Sequence, residues 1–164
     1  MPQALGRHAE LLLSSGCVKP EICVSKLVPG RIFNFFHGSK RCLEPETAGE
    51  WIATLPVKVM KIAVLVNPDW NEVMRMAELP GIDALQLHGA ETPEFCHRLK
   101  AAGIRFEKAL PVTDAESVAN VPDFGTDTVL LDSSGPNGFG GSGQPFPWEI
   151  ARTFVRAREL AGLS

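Results

Sequence analysis

From Arg31 onward, short apolar runs rich in β-branched and aromatic residues alternate with longer stretches in which apolar residues recur every three or four positions. The first pattern is that of strands and the second that of one-sided helices. Their strict alternation predicts βα units on a parallel sheet. "RIFNFF" reads as a strand, and the loop "HGSKRCLE" leads to a helix from Pro45 to about Leu55, with proline in the first turn, where a missing N–H does no harm. "KIAVLV" precedes the helix "PDWNEVMRMAEL", and "ALQLH" precedes "TPEFCHRLKAA", capped by Thr92 at its start and Gly103 at its end. "RFEKAL" and "TDAESVANV" form a fourth pair, and "DTVLLD" is a fifth strand whose helix runs from Trp148 to about Leu160.

The first thirty residues lack this order. "AELLLSSG" predicts a helix and "CVKPEICVSKLVPGR" is interrupted by proline, so residues 1–30 read as an irregular, partly helical segment ahead of one domain over 31–164. The 164 residues, 45% of them apolar, suffice for one core. Nineteen acidic against sixteen basic side chains leave a net charge of −3 with no basic run, which argues against nucleic acid as a partner. Cys17, Cys23, Cys42 and Cys96 show no C-x-x-C pairing, which suits a reduced, cytoplasmic setting. "LLLSSGC" is too short a run for a secretory segment, and no stretch approaches membrane-spanning length.

Parallel βα folds carry their functional groups at the C-terminal ends of strands. That rule selects His37, Ser39, Lys40 and Arg41 after the first strand, Asn67 after the second, and Gln86, His88 and Glu91 after the third. Lys108 lies within the fourth strand, and Asp132 closes the fifth. A carboxyl at the end of an apolar strand is partly desolvated, which suits a general acid; a turn-capping role for Asp132 is equally open on the residues alone. Arg41 offers a planar fork for a carboxylate or phosphate, or else a solvated loop cation beside Lys40. His88 reads as structural or as pocket-lining, and the other histidines add no metal constellation.

The stretch "GPNGFGGSGQPFPW" contains a formal G-x-G-x-x-G at Gly138, Gly140 and Gly143. A dinucleotide fingerprint needs its glycines to open a helix at once, whereas "QPFP" delays the helix here to Trp148. A Walker loop needs Gly-Lys, whereas Gln144 follows Gly143. What fits is a glycine-rich loop that closes over a substrate.

Taken together, "FFHGSKRCLEPETA", "VLVN", "LQLHGAETPEFC", "KAL" and "VLLDSSGPNGFGGSGQPFPW" resemble the phosphoribosylanthranilate isomerase family of tryptophan biosynthesis. The resemblance implies a (β/α)8 TIM-type barrel, here partial, with about five to six βα units and without the family's first and last two strands. It implies an Amadori rearrangement of N-(5-phosphoribosyl)anthranilate to the 1-deoxyribulose 5-phosphate ketose, without cofactor or metal. Asp132 takes the role of general acid, Arg41 contacts the anthranilate carboxylate, His88 lines the pocket, and Gly140, Gly141 and Gly143 belong to the loop over the substrate.

Besides Pro147, which stands where the family usually has aspartate in "F-D-W", two larger departures accompany the match. The family's base is a cysteine in a "KICGI" strand that this chain lacks; Cys23 in "EICV" stands too close to Phe33 to take the role, so the base is unassigned. The family's two later strands, which bind the substrate phosphate, have no counterpart before Ser164. The expectation is therefore an isomerase-family chain of doubtful activity, truncated at both ends, whose open barrel edge calls for a homodimer, a partner over the gap, or a loss of stability. The alternative is a non-catalytic half-barrel interaction protein. A flavodoxin-like or receiver-like sheet is a third architecture for five βα units, but it calls for an acidic or phosphate-binding turn where "FFHGSKR" is basic.

Overall fold

The computed structural model of the chain describes residues 10–12, 30–133 and 148–160. In chain order its elements are β1 (Glu10–Leu12), β2 (Gly30–Asn34), α1 (Pro45–Ile52), β3 (Met60–Leu65), α2 (Trp70–Ala77), β4 (Ala84–Leu87), α3 (Pro93–Ala101), β5 (Phe106–Val112), α4 (Glu116–Ala119), β6 (Thr128–Ser133) and α5 (Trp148–Leu160). They fall into two compact units. One holds residues 30–108 and 124–126; the other holds residues 10–12, 109–123, 127–133 and 148–160.

In the first unit, β2, β3, β4 and the opening of β5 pair in parallel in that order, with Asn34 opposite Val64, Val64 opposite Gln86 and Gln86 opposite Glu107. Ala84–Leu87 and all of β3 after Met60 are buried, as expected of parallel strands covered on both faces. Side chains alternate across such a sheet. One face carries Phe33, Leu65, Leu87 and Lys108, and Phe33 meets the Trp51 ring of α1 edge-on at 5.5 Å, so this is the helix-covered face. Asn34, Val64, Gln86 and Glu107 stand on the opposite face. The helices begin where their first residues predict. Asp69 accepts the Glu72 N–H at 2.8 Å and Thr92 the Phe95 N–H at 3.3 Å, while Gly103, at φ +73°, turns the chain out of α3 through the left-handed region.

In the second unit, β1 runs parallel to β6 with Leu11 opposite Val129, and α4 packs on α5. Val118, Val129, Leu130, Leu131, Ala151 and Phe154 are buried there.

Three local expectations need correction. Glu10–Leu12, read as helical, is a strand: its ladder with β6, Leu11 opposite Val129 and Leu12 opposite Leu130, outweighs local helix propensity. The helix expected over "TDAESVANV" shortens to the single turn Glu116–Ala119. Asn120 leaves the helical region at φ −127° and ψ 42°, and Pro122 follows. Strand β2 ends at Asn34, whose Oδ1 accepts the Phe36 N–H at 2.9 Å and bends the chain before "FFHG".

Candidate active site

His37, Ser39, Lys40, Arg41, Asn67, His88 and Glu91 stand beyond the C-terminal ends of their strands and Asp132 next to the last residue of β6, whereas Gln86 lies inside β4 and Lys108 inside β5. After β2 the loop closes on itself: Ser39 N–H donates to Phe36 O at 2.9 Å and Leu43 N–H to Asn34 O at 2.8 Å. Arg41 is exposed in this loop, its backbone N–H bonded to Ser39 Oγ at 3.1 Å. Cys42 Sγ lies 3.8 Å from His37 Nδ1, and burial, then the Glu44 carboxylate, push its thiol up.

The ends of β3 and β4 and Lys108 inside β5 converge on one buried ion pair. Lys108 Nζ stands 2.9 Å from Glu91 Oε2, and each side chain is 2% exposed. A buried pair costs desolvation unless its remaining donors and lone pairs are satisfied, and here they are well supplied. Glu91 Oε1 accepts the N–H groups of Asn67 at 2.8 Å and Gly89 at 3.0 Å, and Lys108 donates to Gly89 O at 2.8 Å and Leu87 O at 3.3 Å. Asn67 holds φ +49°, a left-handed conformation that asparagine tolerates, and its Oδ1 accepts the Ala90 N–H at 2.7 Å. A Cβ on Gly89 would lie 2.6 Å from the Asn67 nitrogen, so only glycine fits against that backbone.

Half-buried His88 sits within this turn, its N–H donating to Leu65 O at 2.9 Å. By alternation along β4 it follows Gln86 on the face opposite the helices, where Gln86 Nε2 donates to Glu107 Oε1 and both residues are buried. Cys96 of α3 is fully buried. Loss of hydration pushes its thiol up to about 11, the Lys108 charge pulling the other way and Glu91 adding to the rise.

In the second unit, Asp132 stands near the end of β6 directly after buried Leu130 and Leu131, and is itself 4% exposed. Gly140, Gly141 and Gly143 lie outside the described residues, as do Cys17, Cys23 and the rest of the loop before Trp148. Arg41 and His88 thus belong to one unit and Asp132 to the other.

The sequence places Glu91 after the third strand and Lys108 within the fourth without itself pairing them. The signal was present: a lysine inside an apolar strand must find a carboxylate, and "HGAE" supplies one beyond the neighbouring strand. Among the described residues no group of three or more His, Cys, Asp or Glu side chains is arranged to hold a metal ion.

Residues 18–163 match the family described as N-(5'-phosphoribosyl)anthranilate (PRA) isomerase. The chain is 40% identical over 121 residues to the N-(5'-phosphoribosyl)anthranilate isomerase of Rubrobacter xylanophilus, covering 73% of this chain and 59% of the relative. It is similar to the crystal structure of phosphoribosyl anthranilate isomerase from Thermotoga maritima at 30% identity and a TM-score of 0.64, over 76% of this chain and 60% of that one. A second similar structure is that of phosphoribosyl anthranilate isomerase in complex with reduced 1-(o-carboxyphenylamino)-1-deoxyribulose 5-phosphate, at 25% identity and a TM-score of 0.60, over 76% of this chain and 58% of that one. The chain therefore spans somewhat under two thirds of the proteins it matches, and its parallel βα units form part of a (β/α)8 barrel. By its matched residues and its fold, this chain belongs to the phosphoribosylanthranilate isomerase family.

Proposed function

We propose that this chain acts in the Amadori rearrangement of N-(5-phosphoribosyl)anthranilate to the corresponding 1-deoxyribulose 5-phosphate. The observation that carries the reading is Asp132, withdrawn from water at the end of β6 and preceded by two buried leucines. The reaction needs an acid that protonates the ribose ring oxygen, so that the ring opens to an imine, and a base that removes the proton from C2. Asp132 supplies the acid. The enaminol so formed gains a proton at C1 and gives up its C2 hydroxyl proton to become the ketose, with no net oxidation and no co-reactant. Exposed Arg41 offers two parallel N–H donors to the anthranilate carboxylate, and His88 lines the wall at the end of β4.

The base is unassigned among the described residues. A thiol at about 11 is almost wholly protonated at neutral pH, and Cys96 is enclosed in the core, so it does not serve. The Cys42 thiol is likewise held up, by burial and by Glu44.

The test is turnover of the full chain, followed by loss of substrate fluorescence, beside Arg41→Ala. Removing the bidentate contact raises KM at least tenfold with kcat little changed, the pattern of lost ground-state binding. A chain that turns over substrate with KM unaffected by Arg41→Ala contradicts the assigned carboxylate contact. Absence of turnover in the unsubstituted chain contradicts the function and leaves the non-catalytic half-barrel.

A further inference from the structure

The ladder between β4 and β5 ends at the pair Leu87 and Lys108. Beyond it the Lys108 side chain takes over as donor, bonding Leu87 O at 3.3 Å and Gly89 O at 2.8 Å, the carbonyls on either side of His88. The same ammonium is held 2.9 Å from Glu91 Oε2, and that carboxylate binds the Gly89 N–H through both oxygens, at 3.0 and 3.1 Å. Its Oε1 also takes the Asn67 N–H from the end of β3 at 2.8 Å. Backbone from two strand ends is thereby tied to one charge pair 2% exposed on each side, with His88 at its centre.

We propose that the Lys108–Glu91 pair is a positioning device, which clamps the backbone on both sides of His88 and sets where that ring stands in the wall of the substrate pocket. The pair lies on the helix-covered face and His88 follows the opposite one, so the pair acts through the backbone and does not touch the substrate. Low local dielectric strengthens these bonds, and for the same reason loss of either charge leaves the other buried without compensation. The inference rests on the pocket role proposed for His88, but its structural half can be read without turnover.

The experiment compares the full chain with Glu91→Gln and Lys108→Met by amide hydrogen exchange and steady-state kinetics. In Glu91→Gln, which keeps the side-chain shape, the Asn67 and Gly89 amides should exchange at least tenfold faster. The amides of Val73 in α2 and of Glu78 capping its end, bonded within the same unit to Asp69 O and Met74 O, should stay within threefold. KM should rise fivefold or more with kcat within threefold, since a displaced His88 weakens binding. Unchanged exchange at Gly89 and Asn67 overturns the clamp, and so does an equal acceleration in α2, which marks general loosening. Local acceleration with KM unmoved overturns its service to the site. If the unsubstituted chain turns nothing over, the functional reading fails while the exchange result still decides the clamp. Should Lys108→Met not fold, Glu91→Gln carries the test alone.

Discussion

Cys96 shows how one residue's surroundings fix its chemistry. Fully buried on α3, its thiol is pushed up to about 11, mainly by loss of hydration. An exposed thiol in the unfolded chain loses its proton near 8.5. Between about 8.5 and 11 the folded state therefore binds the more protons, and stability falls as pH rises through that window. The effect is of the order of 3 kcal/mol by its upper end. Urea unfolding at pH 8, 9.5 and 10.5 should show a steeper alkaline loss for the unsubstituted chain than for Cys96→Ala. Parallel losses in the two would contradict the assignment. Sequence alone could name this cysteine but not its role, because burial and the neighbouring Lys108 and Glu91 come from other elements. The placement of Arg41 and His88 beyond a strand and of Asp132 near the end of one is, by contrast, legible from sequence, because each follows an apolar run whose end can be counted. Their partners are not legible in that way. The Lys108–Glu91 pair joins residues 17 apart in sequence, and only the register of β4 on β5 brings them together.

Elements were easiest to read where local chemistry and tertiary packing agree. Helix α3 starts directly after its cap Thr92 and ends before Gly103, and α2 starts directly after its cap Asp69, as capping chemistry predicts. Because the Asp69 side chain satisfies an otherwise orphaned N–H at the start of α2, Asp69→Ala should lower stability by about 1 kcal/mol in urea titration, with an unchanged slope. No change in the midpoint would show that the cap contributes nothing. Where the two influences disagree, sequence reading fails. The leucines at Leu11 and Leu12 accept a strand conformation opposite Val129 and Leu130, although the local pattern favours a helix. The helix after β5 holds for only one turn because Asn120 and Pro122 stop it before its apolar residues recur. Even within that turn the chain is locally satisfied, since Ser117 N–H bonds Asp114 Oδ1 at 2.9 Å and Ser117 Oγ bonds Asp114 O at 2.6 Å.

At the scale of the molecule, parallel βα alternation was legible from residue 31 onward, and the family from a few motifs placed at strand ends. Gly140, Gly141 and Gly143, proposed to lie over the substrate, fall outside the described residues, so the proposed function rests on groups after β2 and β4 and near the end of β6. The central claim is that Asp132 donates the proton that opens the ribose ring. Single-turnover rates of the full chain and of Asp132→Asn, each checked for its fold by circular dichroism, test it most directly. A general acid is worth roughly 10²–10⁴ in rate. The account predicts a loss of about that size in a protein that stays folded; a folded Asp132→Asn chain that turns over substrate within threefold of the unsubstituted rate would contradict it.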